Sequence, residues 1–271
     1  MLRIAKITAL LAASALALVG CANSDATGGT VTEGKLTIAT GEPAYEPWVV
    51  DNKPESGEGF EAAVAYAVAE KLGYKKEDVK WVRETFEGSI APGEKNWDLN
   101  IQQFSITEER KKAVDLSKPY YTTTQAVVAA NSSSFASAKS LAELKGATIG
   151  VAVGTTSKEV VTKNIAPLKE AQVFNTLEDA VAALQAGNID AVVTDLPGAF
   201  YVRDAQLEGD GVIIGQIDTA DAKGDELAFV LPKDSALTAK VNTALEALAA
   251  DGTLDRLAKK WFAEHGAPVL K

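Results

Sequence analysis

The sequence predicts an α/β protein built from two similar lobes, and three observations carry that expectation. Strand-like and helix-like segments alternate from Leu36 to Trp261, the pattern of sheets flanked by helices. A polar break, Asn131-Ser132-Ser133-Ser134, interrupts the alternation. Asn96-Trp97-Asp98 before one strand is echoed by Asn188-Ile189-Asp190 before another, a repeat that two related lobes would produce. Pattern alone leaves a single doubly wound sheet open.

The elements follow in order. Leu36-Thr37-Ile38 is a short strand. Phe60, Val64, Val68 and Leu72 form one stripe of a helix, with Gly73 placed to end it. Val79, Trp81 and Val82 suggest a second strand, Asp98 to Ile101 a third, and Ala126 to Ala129 an apolar strand-like run. After the polar break come a helix around Leu141 to Leu144 and a strand from Ala147 to Val153. Leu177, Val181 and Leu184 mark an amphipathic helix ending at Gly187, followed by the strand Ala191-Val192-Val193. Ala228 to Leu231 is another strand, stopped by Pro232. Leu237, Val241, Leu245 and Leu248 form a long helical stripe, and Leu254, Leu257 and Trp261 a second after Asp251-Gly252.

The first twenty residues read as an address. Arg3 and Lys6 precede a nearly pure apolar run from Ile7 to Gly20, too short to span a bilayer comfortably but suited to a secretory signal. The run closes on Leu18-Val19-Gly20-Cys21, which resembles a bacterial lipobox; an uncleaved anchor or an ordinary signal are the alternatives. Cys21 is the only Cys in the chain, so an intramolecular disulfide and a Cys-based metal site are excluded. Lipidation of Cys21 would make Ala22 to Thr30, rich in Asn, Ser, Thr and Gly, a tether. The formal net charge is −10, which argues against nucleic acid and anionic lipid as partners.

Enzyme signals are sparse. His265 is the only His, so Ser-His-Asp and Cys-His schemes lack a credible base. No phosphate-cradling glycine motif occurs, and no cofactor is expected. The chain instead carries groups that suit a zwitterion. Arg110, after Ser105-Ile106-Thr107, offers a two-pronged donor for a carboxylate, unless it is a solvated neighbour of Lys111 and Lys112. Gly154-Thr155-Thr156-Ser157 follows a strand and opens a helix, where backbone N–H groups attract anions or a hydroxyl simply caps. Asp195 follows a strand at its carboxyl end, where open α/β sheets place ligands. Tyr45, with Trp48, Pro43 and Pro47, and Phe86 supply aromatic faces, with core packing as the plain alternative for each.

In their order and spacing these segments resemble the amino-acid-binding solute-binding proteins of family 3, which serve polar amino acid ABC importers. The resemblance runs from about Lys35 to Phe262. It includes Gly41 to Trp48, Gly59-Phe60-Glu61, and Ser105 to Arg110 followed by Ala113 to Tyr120. It continues through Gly154-Thr155-Thr156, Leu184 to Asp195, and Asp251-Gly252-Thr253-Leu254 to Phe262. It implies a two-lobed, type II periplasmic-binding-protein-like fold, each lobe a mixed sheet flanked by helices, joined by a two-stranded hinge. The boundaries expected are 1–20 for the signal, 21–34 for the lipidated Cys and tether, 35–123 with 229–271 for lobe 1, and 124–228 for lobe 2.

The resemblance also implies roles. Arg110 would grip the ligand α-carboxylate with Ser105 and Thr156, Thr155 standing beside them. Asp195 would take the amino group, and Tyr45 and Phe86 would sandwich the side chain. Gln102 and Gln103 stand where the family usually carries small or hydroxylic residues and would narrow the pocket; Glu42 stands near an acidic side-chain contact of some members. The expectation is a lipid-anchored monomer on the outer face of the bacterial cell membrane, handing its ligand to an ABC permease with its ATPase. Two rivals remain. One is a dehydratase-like enzyme on the same scaffold, using Glu42, Glu61, Glu87 or Asp195. The other is a sensing module for a signalling receptor.

Overall fold

The computed structural model describes residues 29–217, 224–262 and 267–271; the signal, Cys21, tether residues 22–28 and His265 lie outside them. Eleven strands are described: β1 (Leu36–Thr40), β2 (Val79–Arg83), β3 (Leu99–Ser105), β4 (Asp115–Thr123), β5 (Gln125–Ala130), β6 (Ile149–Ala152), β7 (Gln172–Phe174), β8 (Ala191–Asp195), β9 (Gly211–Ile217), β10 (Asp225–Leu231) and β11 (Val269–Leu270). They form two mixed sheets, β2-β1-β3-β10-β4 and β11-β9-β5-β8-β6-β7. The single doubly wound sheet is thereby set aside.

The first lobe is built around a strand that is buried on both faces. All five residues of β1 are buried, as expected of a parallel strand covered by helices on both sides. The helix Phe60–Lys71 packs Phe60, Val64, Ala65 and Val68 into a core shared with Leu99, Phe229, Val241 and Leu245. Its entry requires Gly59. With φ +103°, this residue brings its Cα so close to the preceding turn that a Cβ would lie 2.4 Å from the Trp48 carbonyl oxygen. Trp48 is itself core, 4.9 Å from Phe262 and 6.0 Å from Phe60 between ring centroids.

The second lobe packs on both faces of its sheet. Val127, Ile149, Val193 and Ile214 lie on one side, and Val128, Val181, Leu184 and Val192 on the other. The segment read as a helix around Leu141 is a 3-10 turn, Leu141–Gly146, closed by i→i−3 bonds such as Ala147 N to the Leu144 carbonyl at 3.0 Å. Leu177–Gln185 is the expected amphipathic helix, capped by the Thr176 hydroxyl, which accepts from Asp179 N at 3.1 Å.

The sequence echo has a structural meaning. Asp98 donates its N–H to the Thr37 carbonyl at 2.8 Å, and its carboxylate accepts from Thr37 N at 2.7 Å. Asp190 does the same with Thr148, at 2.8 Å and 2.7 Å. Each aspartate thus pins the start of a strand to the parallel neighbour that precedes it in the chain. Asp98 also accepts from Val31 N at 2.7 Å, fastening the last residues before β1. Asp98→Ala is expected to cost about 1–3 kcal/mol of stability, because two backbone donors lose their only strong acceptor. Denaturant unfolding measures it, and an unchanged midpoint would show that water replaces the carboxylate freely.

The chain passes between lobes at Thr124 and again between β9 and β10. These passes lie side by side: Asp225 pairs with Thr123, and Gln216 with Ala126. Two boundaries differ from the sequence reading. β10 belongs to the first sheet from Asp225 onward, ahead of the expected 229. The C-terminal residues, expected with lobe 1, return to lobe 2, where β11 runs parallel to β9. Leu270, 2% exposed, plugs the second-lobe core there, and the Pro268 carbonyl accepts from Gln216 N at 2.7 Å. Burial of that one leucine and the ladder bonds account for the crossing.

Candidate functional site

A cavity of about 340 Å³ lies between the lobes, within the size range of small-molecule sites. All ten residues proposed from sequence for ligand contact line it: Glu42, Tyr45, Phe86, Gln102, Gln103, Ser105 and Arg110 from one lobe, and Thr155, Thr156 and Asp195 from the other.

Arg110 opens the short helix Arg110–Ala113 just beyond the end of β3, its backbone N–H donating to the Thr107 hydroxyl at 3.2 Å. It is 7% exposed and is not the solvated surface residue that its lysine neighbours suggested. Its guanidinium donates to the Ser105 carbonyl at 2.6 Å and, across the cleft, to the Gly154 carbonyl at 2.8 Å. Burial pulls its pKa down to about 10, with Asp225 and Glu109 resisting, so it keeps its charge at neutral pH. The Phe86 ring lies 5.3 Å from its Cζ and stacks at 4.7 Å on Phe104. Phe86 begins a short helix, Phe86–Ile90, whose cap is Thr85.

Asp195 ends β8 and caps the helix Leu196–Tyr201, accepting from Gly198 N at 3.3 Å and from the Thr194 hydroxyl at 3.2 Å. Burial raises its pKa to about 6, against those hydrogen bonds, and Asp225 pushes the same way. The helix-start reading and the ligand-contact reading are therefore compatible, since the cap uses only part of the carboxylate's accepting capacity.

A second carboxylate, this one buried, stands behind it. Glu61, in the first turn of Phe60–Lys71, accepts from Gln103 N at 2.8 Å, from the Gln103 side-chain amide and from the Tyr120 hydroxyl. Burial pushes its pKa up to about 7, and those three bonds oppose the rise. Gln103 sits at φ +49°, a left-handed conformation that costs a non-glycine residue energy, and the two bonds it donates to Glu61 hold it there. Gln102 presents a buried Oε1 with no partner among the described residues.

Tyr45 reaches across the cleft: its hydroxyl donates to Glu178, and its ring tilts against Tyr201 at 6.0 Å. Burial, then the Glu178 contact, raises its pKa. Tyr45 and Phe86 thus both face the cavity while being held by different partners. Glu42 sits at the rim, 3.2 Å from Arg83 Nε and accepting from Asn52 at 2.8 Å. Thr155 donates to the Ala152 carbonyl at 2.8 Å. Thr156 donates to Asp225 at 2.7 Å and lies 3.5 Å from the Ser105 hydroxyl. Glu178, Tyr201 and Asp225 were not singled out from sequence. Their partners lie far off along the chain, Tyr45 at 133 positions from Glu178 and Thr156 at 69 from Asp225, and no local pattern marks them.

The arrangement joins one buried cation and one half-buried carboxylate inside a cavity flanked by aromatic rings. Among the described residues no group of three or more His, Cys, Asp or Glu could hold a metal ion.

Comparison with known proteins places the chain in a family. Residues 36–264 match the family described as bacterial extracellular solute-binding proteins, family 3. The chain is similar to an L-arginine-binding protein of Pseudomonas aeruginosa, 31% identical over 82% of this chain and 85% of that one. It is also similar to an arginine-binding extracellular protein of Bacillus subtilis, 32% identical over 91% of this chain and 92% of that one. Among solved structures it resembles an ancestral arginine-binding protein bound to glutamine, with TM-score 0.70, 36% identity, and coverage of 86% of this chain and 100% of that one.

Proposed function

This chain belongs to the bacterial extracellular solute-binding proteins, family 3, and from that premise we propose that its cleft captures a free α-amino acid for an ABC permease and its ATPase. The observation that carries the reading is the placement of Arg110, charged and 7% exposed, in one cavity with Asp195. Arg110 holds the α-carboxylate, and Asp195 the α-ammonium. Tyr45 and Phe86 flank the side chain. Gln102, with its unpartnered Oε1, and rim acids such as Glu42 and Glu87 favour a side chain that donates N–H groups. Arginine and glutamine fit that description, and the relatives' names support it. The protein works by binding and release, without turnover.

A thermal-shift screen of residues 29–271 against the L-amino acids tests the reading. A ligand at 100 times its dissociation constant adds about 2.7 kcal/mol, roughly a 5–11 °C rise in Tm for a chain of this size. No shift with any amino acid would overturn it. No helix among the described residues is long and apolar enough to cross a membrane; attachment to the membrane is proposed to be through a lipid on Cys21, on the strength of Leu18-Val19-Gly20-Cys21. A Cys21→Ser protein that still sediments with membranes after signal cleavage would defeat that attachment.

A further inference from the structure

Asp225 opens β10 beside both passes between the lobes, paired with Thr123. Its Oδ2 accepts from the Gln125 side-chain amide at 2.9 Å and from the Thr156 hydroxyl at 2.7 Å. A carboxylate has no proton to give, so the single hydroxyl proton of Thr156 goes to Asp225. The Thr156 oxygen is left as an acceptor, and the Ser105 hydroxyl 3.5 Å away is the one placed to donate to it. The Thr156 hydroxyl, which would help hold a ligand carboxylate, is therefore turned toward an internal oxygen. Asp225 also lies close enough to stabilise the charge of Arg110 and to oppose the charge of Asp195. An incoming carboxylate needs the same proton and the same positive field.

We propose that Asp225 competes with the ligand's carboxylate for the Thr156 hydroxyl and for the field of Arg110, and so sets how tightly the cleft holds an amino acid. The inference rests on the carboxylate role of Arg110 proposed above. When the ligand arrives, Thr156 turns its proton from Asp225 to the ligand, and Asp225 retains Gln125 as its partner. Gln125 is in turn fixed by Ser157, whose hydroxyl donates to its Oε1 at 2.7 Å, so the acid stays in place during the exchange. Removing the Asp225 carboxylate frees a donor and removes a negative charge that repels the ligand's own. Tighter binding follows, the opposite of what loss of a supporting contact would give.

Calorimetry with L-arginine and L-glutamine as probes tests this on wild type, Asp225→Ala, Thr156→Val and the double variant. Asp225→Ala is expected to bind about five- to tenfold more tightly. In the Thr156→Val background the gain is expected to fall to about twofold, the part due to charge alone. L-argininamide, which has no carboxylate, is expected to gain nothing. If Asp225→Ala does not fold, Asp225→Asn keeps an acceptor for Gln125, removes the charge, and is expected to bind about two- to threefold more tightly. Equal or weaker binding by the folded Asp225 variant overturns the inference. So does a gain that persists undiminished with Thr156→Val or with the amide. Arg110→Ala measured alongside separates the two readings: if it binds the probes as tightly as wild type does, the carboxylate site itself is wrong and this inference falls with it. If wild type binds neither probe, the amino acid that the thermal-shift screen identifies takes their place.

Discussion

Replacing Arg110 with Ala is expected to weaken amino-acid binding by about 2–5 kcal/mol, roughly thirtyfold to several-thousandfold in dissociation constant. The variant leaves the ligand carboxylate desolvated in a cleft with no other Lys or Arg among its lining residues. The fold should survive, because the groups that lose a partner are the carbonyls of Ser105 and Gly154, both at the cleft, where water can replace the guanidinium. Arg110→Lys should recover only part of the affinity, since an ammonium cannot offer two parallel donors. Calorimetry on the mature protein reads the effect. A dissociation constant within threefold of wild type would remove Arg110 from the site.

Asp195→Asn is the second large effect, again about 2–5 kcal/mol, because an amide cannot match a carboxylate as partner for an ammonium. It carries a pH signature. Burial raises the Asp195 pKa to about 6, and only the ionised form pairs with the ligand's ammonium. Affinity should therefore fall on acidification, about tenfold between pH 8 and pH 5, and the fall should vanish in Asp195→Asn. Ligand-free stability moves the other way. The folded Asp195 and Glu61, with pKa values of about 6 and about 7, hold protons that the unfolded chain releases from about pH 4 upward. The folded state binds more protons in that window, so stability declines as pH rises from about 4 to 7. Thermal melts at pH 5 and pH 7.5, with and without ligand, separate the two trends; a pH-independent affinity would place the ammonium elsewhere.

Much of the architecture was legible in the sequence because it is written locally. Runs such as Ala191-Val192-Val193 and stripes such as Val241, Leu245 and Leu248 declare their elements by period. Gly59 is required by a left-handed backbone at a close approach. The paired Asp98 and Asp190 were visible as an echo, though their shared function as clamps on Thr37 and Thr148 needed the strand register. Among the residues that line the cleft, Glu42, Tyr45, Ser105, Arg110, Thr155, Thr156 and Asp195 were legible through their place in family-like segments. Residues that act through distant partners were not. Glu61 stood out only within Gly59-Phe60-Glu61 and as a possible acid or base of a dehydratase-like rival, and nothing in the sequence around it announces Gln103, 42 positions on, or Tyr120. Asp225 meets Thr156 across 69 residues, and neither periodicity nor a motif surrounds it. The two residues of β11 are too few to show an alternation, so the return of the chain end to the second lobe was invisible.

That return sets a limit on motion. Phe262 packs in the core of the first lobe against Trp48 and Phe60, while Ala267 accepts a hydrogen bond from Gln216 in the second. Only residues 263–266 separate these anchor points. Five residue steps at full extension cover about 17–18 Å, whatever path they take. However far the two hinge strands flex, the gap between these anchors cannot widen past that contour length unless β11 peels from β9. Whatever opening admits a ligand to the cleft, the chain's own length caps the swing, as a door chain does.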